Sequence, residues 1–255
     1  MQSILRALGI LNRLSEADDG ITLTRIAERV DLAPSTVHRI LTTLEQERYV
    51  RFDPDRRLWS IGVQTFLAGC GFLKTRDLVG IARPFMRTLL DECRETVNLA
   101  VQDEREAIYV HRIERPTIRP IGRPDGRVPL YCSGVGKALL AGKDDSELET
   151  LLPADDARRL TKKTLVTRSA LREEIALTRS RGFAVDDEEH AVGLRCVAAT
   201  VFNEFREPMA AISISGPATR ISPSHVPRLG ELLRQAAAGI TAKLGGSDPN
   251  TIRRT

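Results

Sequence analysis

"ITLTRIAERVDLAPSTVHRILTTLEQERYVRFDPDRRLWSIG", residues 21–62, is the stretch whose reading decides the fold. Leu23, Ile26, Ala27 and Val30 are spaced as one face of a short helix, and Thr22 stands where an N-cap belongs. Asp31 and Leu32 make a brief turn. Pro34 suits the first position of the next helix, in which Val37, Ile40, Leu41 and Leu44 form the apolar stripe. The opposite face of that helix carries Ser35, Thr36, His38, Arg39, Thr42 and Thr43. A face that only meets water would usually carry Glu–Lys pairs. This one is neutral or positive and rich in hydroxyls near the helix start, which suits phosphate oxygens and base edges. Glu45, Gln46 and Glu47 come only at the far end. Two apolar runs then follow, Tyr49, Val50 and Phe52, and Leu58, Trp59 and Ile61. They flank the turn "DPDR", with Arg51, Arg56 and Arg57 near its tip.

Helix, turn, helix and an arginine-tipped hairpin make a winged helix-turn-helix. Upstream, Ile4, Leu8, Leu11 and Leu14 lie on one face of a first helix, which ends in the acidic turn "SEADDG". The expected DNA contacts are Thr22, Ser35, Thr36, His38, Arg39, Thr42, Arg51, Arg56 and Arg57. Residues 1–75 hold ten basic and nine acidic side chains, so the basic groups must gather on one face.

Residues 62–76, "GVQTFLAGCGFLKTR", read as a linker helix with Phe66, Leu67, Cys70 and Leu73 along one side. That side is apolar enough to expect a second subunit against it. From residue 78 helices and strands alternate. "TVNLAVQDEREAIYVHRIE" reads as a hairpin turning at "DERE". "GLRCVAATVF" and "MAAISISG" read as strands, and "SALREEIALTRSRG" as a helix stopped by Gly182. "SHVPRLGELLRQAAAGITAKL" reads as a terminal helix. Strands joined by tight turns imply an antiparallel sheet with helices outside it, an α+β domain. Alternation in "MAAISISG" points Ala210, Ile212 and Ile214 one way and Ala211, Ser213 and Ser215 the other. Cys196, Ala198 and Thr200 likewise share a face. Small polar side chains on adjacent strands suit a cavity for a small polar ligand.

The stretch "PLYCSGVGKALLA", residues 129–141, invites a phosphate-loop reading that its spacing refuses. Tyr131 stands where the first glycine is needed, and Ala138 where a magnesium-binding hydroxyl is needed. Leu139 likewise replaces the third glycine of a dinucleotide fingerprint. What survives is a helix start at Ser133 or Gly134, whose free N–H groups can hold an anion.

The 255 residues suffice for one large or two ordinary domains. Aromatic content is 4%, too little for a single-strand stacking surface, and the net charge of +4 permits an anionic partner without demanding one. The four cysteines, at 70, 93, 132 and 196, form no C-x-x-C pair, and the histidines have no metal spacing. No cofactor and no metal are expected. Arg6 and Arg13 interrupt the apolar N-terminus, and no run approaches the ~18 apolar residues of a membrane span. A soluble cytoplasmic protein is expected.

On "RALGILNRL", "LTRIAERVDLAPSTVHRILTTLEQERYV", "GRVPLYCSGVGKALLA", "EEHAVGLRCVAATVF" and "AAISISGP", found in this order, the chain resembles IclR-type transcription regulators over essentially its full length. The resemblance implies a winged helix-turn-helix over 1–61 and a linker helix over 62–76. A GAF/PAS-like effector and oligomerisation domain over 77–247 and a flexible tail over 248–255 complete the scheme. It implies a ligand-responsive repressor or activator of a catabolic operon, binding double-stranded operator DNA as a dimer or dimer of dimers. It also implies a small carboxylate effector, held by the N–H groups of Gly134 and Val135 together with Asp186, Cys196, Ser213 and Ser215. Tyr131 stands where the family commonly has histidine, and Cys132-Ser133 replaces a common Thr-Ala. Two other classes are kept open. One is a GAF-like binding module without specific DNA binding. The other is an enzyme using Cys196, His190 and Asp186 as nucleophile, base and orienter.

Overall fold

The computed structural model describes residues 2–17, 19–74, 78–114, 126–154 and 157–249, without the side chains of 70–74. The tail residues 250–255, and the side chains of Cys70 and Leu73, lie outside the described residues. The chain divides into two compact units, 1–77 and 78–255.

The first unit begins with α1 (Gln2–Ser15), α2 (Leu23–Val30) and α3 (Pro34–Gln46). Their inner faces meet in one core of Ile10, Leu14, Ile26, Ala27, Val37 and Leu41. Pro34 occupies the start of α3 as its fixed φ favours. Asp31 closes α2 in the left-handed region, at φ 51°. Thr22 holds the N-cap position, but its hydroxyl makes no capping bond. The α1 stripe is turned from the sequence expectation. Ile10 and Leu14 point inward, while Ile4 and Leu8 are 63% and 52% exposed. Helical spacing identifies two apolar stripes on α1, and the packing partners α2 and α3 select only one of them.

A hairpin, β1 (Val50–Asp53) and β2 (Leu58–Ile61), pairs Phe52 with Trp59, whose rings lie 4.8 Å apart. Its turn is set by Asp53, whose Oδ1 accepts the N–H groups of Asp55 and Arg56 at 3.0 and 3.1 Å. The Phe52 N–H donates to the Glu45 carboxylate at 3.2 Å, which fixes the wing to the end of α3. Helix α4 (Val63–Lys74) follows.

The second unit opens with α5 (Leu78–Cys93) and the hairpin β3 (Thr96–Asp103) and β4 (Glu106–Ile113). Then come β5 (Arg127–Pro129), α6 (Gly134–Gly142), α7 (Asp145–Leu151) and α8 (Arg168–Arg181). The strands β6 (Ala184–Asp187), β7 (Leu194–Phe202) and β8 (Pro208–Pro217), and the helix α9 (Val226–Lys243), complete it. The six described strands run antiparallel in the order β5-β4-β3-β8-β7-β6. Alternation on β8 sorts the two cores as expected. Ala210, Ile212 and Ile214 join α5 and α9 on one face, and Ala211 joins α6 and α8 on the other. Gly182 ends α8 at φ 82°, where a side chain would be strained. Among the described residues no helix is long and apolar enough to cross a membrane.

Candidate DNA-binding face and effector site

On α3 the side chains of Ser35, His38 and Arg39 are exposed, and those of Thr36 and Thr42 are partly exposed. The Thr42 and Thr43 hydroxyls donate to the carbonyls of His38 and Arg39 at 2.9 and 3.0 Å. Thr42 therefore meets a partner as an acceptor. Thr22 and the hairpin residues Arg51, Arg56 and Arg57 are also exposed. None of Arg39, Arg51, Arg56 and Arg57 pairs with a carboxylate among the described residues. The one described ion pair of this unit is Arg13–Glu16 on α1. These four guanidinium groups are thus exposed and without an ion pair among the described residues, although Asp53 and Asp55 share the turn of the wing.

The second site lies on the α6 face of the large sheet. Ser133 caps α6: its hydroxyl accepts the Gly136 N–H at 3.1 Å and donates to the Pro129 carbonyl at 2.7 Å. The two glycines have different tasks. A Cβ on Gly136 would lie 2.3 Å from the Leu130 backbone, so this glycine lets the helix close onto the chain before it. A Cβ on Gly134 would lie 2.8 Å from the Cys196 Sγ, so this glycine lets the helix start reach β7. Cys196, on β7, faces Asp186 on β6 and Ser215 on β8. Burial first, then the nearby Asp186 charge, push its thiol up to about 12, while Ser213 and the Val135 N–H pull the other way.

Ser213 is fully buried. Asn98, paired with it across β3, donates its amide to the Ser215 hydroxyl at 3.1 Å and to Ser213 at 3.5 Å. Asp186 is 2% exposed and accepts the N–H groups of Glu189 and His190 at 2.8 and 3.3 Å. Burial and then the Glu189 charge raise its carboxyl to about 7. Asn98, Asp186, Cys196 and Ser215 border a cavity of about 30 Å³, also lined by Tyr109, Arg112, Ser133, Gly134, His190 and Leu194. Ser213 and Val135 do not line it; they stand behind it, hydrogen-bonded to the Cys196 thiol. Gly134, Val135, Asp186, Cys196, Ser213 and Ser215 are therefore neighbours, drawn from α6 and three strands. Asn98, Tyr109 and Arg112 escaped the sequence reading, although alternation in "TVNLAVQD" pairs Asn98 with the serines.

Behind this site is a buried ionic cluster. Lys137 on α6 has no exposed surface, and its Nζ meets the Glu189 carboxylate and, at 3.5 Å, that of Glu174 on α8. Glu189 Oε2 is buried with no hydrogen-bond partner among the described residues.

The arrangement defines a two-part molecule: a winged helix for DNA and a sheet domain with a small polar site. It belongs to the IclR family of bacterial transcription regulators. The helix-turn-helix model of that family matches residues 3–54, and its C-terminal model matches residues 70–242. The chain is 41% identical to the transcriptional repressor IclR of Escherichia coli K12, over 96% of this chain and 91% of the relative. It is 38% identical to the acetate operon repressor of Salmonella typhimurium, over 97% and 91%. The IclR regulator structure from Alicyclobacillus acidocaldarius superposes at a TM-score of 0.84 with 25% identity, covering 96% of this chain and 99% of that one. The protein is a ligand-responsive DNA-binding regulator of a catabolic operon and not an enzyme. The Cys196 chemistry agrees, since a thiol held near 12 is not a thiolate nucleophile at neutral pH.

Proposed function

We propose that this regulator binds a roughly palindromic operator as a dimer, and that a small carboxylate at the α6–β8 site sets its operator affinity. The observation that supports this most is the combination of exposed arginines on α3 and the wing with buried hydroxyls at a helix start. In this reading the α3 side chains Ser35, Thr36, His38, Arg39 and Thr42 enter the major groove. Thr22, Arg51, Arg56 and Arg57 hold the phosphates. Arg39→Ala should weaken specific operator binding by about 1–3 kcal/mol. Arg57→Ala should weaken all DNA binding evenly and lower the salt slope by about one unit. Anisotropy titrations at several salt concentrations separate the two, and unchanged affinity in both variants contradicts the reading.

A second copy has an apolar surface to cover. Phe66 and Leu67 on α4 are 67% and 48% exposed, and Ile4, Leu5 and Leu8 add an exposed face on α1. Light scattering should give at least a dimer at micromolar concentration, and a monomer there would contradict this. A protein with these partners works in the cytoplasm.

For the acid, the N–H groups of Gly134 and Val135 and the hydroxyls of Ser213 and Ser215 supply donors in a shielded site. Asp186 adds a carboxyl beside them. A bound anion favours the protonated form of that carboxyl, so binding should be pH-dependent. Asp186 titrates at about 7. Affinity should be flat well below that pH and fall above it, towards tenfold per pH unit. Calorimetry in two buffers should show uptake of a proton, and Asp186→Asn should flatten the profile. A pH-independent affinity in the wild type contradicts the placement of the acid beside Asp186.

A further inference from the structure

We propose that Arg112 is the specificity-determining residue of the effector site and selects a short dicarboxylate over the corresponding monocarboxylate. This rests on the carboxylate reading above and adds a second anchor to it.

The observation begins with strand register. On β3, Asn98, Leu99 and Ala100 face Arg112, His111 and Tyr109 of β4, so Val110 is an extra residue and the register shifts between Leu99 and Ala100. A β-bulge re-aims side chains. Here Tyr109 and Arg112, three residues apart, both line the same cavity as Asn98, Asp186 and Ser215. Val110 packs against the opposite core. Without the extra residue, strict alternation would put either Tyr109 or Arg112 on the far face. The positive charge of Arg112 and the negative charge of Asp186 act in opposite directions on the Tyr109 hydroxyl, which places all three groups within electrostatic reach.

Arg112 has hydrogen-bond donors to spare. Its Nε donates to the Glu114 carboxylate at 3.0 Å, and that pair is about one third exposed. Its two terminal nitrogens make no hydrogen bond among the described residues. A guanidinium fork is matched to a carboxylate held by two parallel hydrogen bonds. The first carboxylate of an effector, at Gly134 over Cys196, is on β7. Arg112 is on β4, three strands further along the order β7-β8-β3-β4. At about 4.8 Å per strand that is ~14 Å between backbones, which the arginine side chain shortens from its own end. A monocarboxylate at Gly134 leaves this arginine with Glu114 alone, whereas a second carboxylate a few bonds away meets its free terminal nitrogens. The cavity is about 30 Å³, room for one or two waters. The rest of the ligand takes space that the partly exposed Arg112 yields when it exchanges Glu114 for the ligand. The buried walls Asn98, Ser133, Asp186 and Cys196, all 2–4% exposed, stay in place.

The test is calorimetric titration of the full chain with succinate, glutarate and adipate, and with butanoate, pentanoate and hexanoate. The proteins are wild type, Arg112→Gln, Arg112→Lys and Ser213→Ala. At least one dicarboxylate should bind the wild type ten or more times more tightly than the monocarboxylate of the same length. Arg112→Gln should abolish that ratio by weakening the dicarboxylate while leaving the monocarboxylate within about twofold. Arg112→Lys should recover part of it, because the charge remains and the fork is lost. Ser213→Ala should weaken both classes alike. A wild type that binds both classes equally, or an Arg112→Gln variant that loses both equally, overturns the role of Arg112 while the carboxylate site stands. A wild type that binds neither class overturns the carboxylate site and this proposal with it.

Discussion

Lys137→Met should destabilise the second unit by about 3–5 kcal/mol at neutral pH, because one partner of a buried ion pair is removed and the other left behind. Lys137 has no exposed surface and its ammonium meets the carboxylates of Glu189 and Glu174. Glu174 keeps Arg181, which donates to it at 2.6 Å. Among the described residues Glu189 loses its one side-chain donor, and its second oxygen already lacks a partner. Burial raises the Glu189 carboxyl above its usual range, and Lys137 opposes that rise. Without the lysine the carboxyl takes up a proton more readily. The defect should therefore be largest above neutrality and shrink as the pH falls and Glu189 becomes neutral. Lys137→Met with Glu189→Gln should recover part of the loss. Urea unfolding followed by far-UV circular dichroism measures it. The fluorescence of Trp59, the one tryptophan of the chain and part of the first unit, is the internal control. A loss below ~1 kcal/mol, or one that does not depend on pH, contradicts the ionic role given to Lys137.

The second large effect concerns the serines. Ser213→Ala with Ser215→Ala removes two hydroxyls that a bound carboxylate would use, at about 1.5–3 kcal/mol each before rearrangement. Acid affinity should then fall by well over tenfold. The same change strips Asn98 of both its side-chain partners, since its amide donates to Ser213 and Ser215. A buried amide left unpaired costs a further ~1–3 kcal/mol of stability. Asn98→Leu in the same background should return part of that stability without returning the affinity. A thermal-shift series of carboxylic acids on the wild type and the double variant reads both effects. A carboxylate that stabilises the two proteins equally would place its site elsewhere.

These expectations show where the sequence was informative and where it was silent. The winged helix was readable because its evidence is local: Pro34 at a helix start, a 3.6-residue stripe from Val37 to Leu44, and a turn fixed by Asp53. The direction of the serines was readable because β8 keeps strict alternation from Ala210 to Ser215. Arg112 and Tyr109 were not readable, because the extra residue on β4 breaks the period that a strand reading depends on. β6 was missed for another reason. Its four residues, Ala184–Asp187, include two carboxylates, and nothing local shows that Asp186 turns inward opposite Cys196. On α1 the apolar spacing was visible, but the choice of Ile10 and Leu14 over Ile4 and Leu8 belongs to packing against α2 and α3.

The two sites matter together only if they are coupled. An acid that prefers one arrangement of the DNA-binding units must change operator affinity, and DNA must change acid affinity by the same factor. The direct measurement is an anisotropy titration of the DNA beside the protein's own gene at fixed salt, with and without the best-binding carboxylate. It is done on the wild type and on the Ser213→Ala, Ser215→Ala variant. The wild type should bind that DNA far more tightly than random sequence, and the acid should shift its affinity by about 5–150-fold. The variant should bind the DNA as well as the wild type and ignore the acid. Equal binding of operator and random DNA, or an equal acid shift in both proteins, would contradict the account.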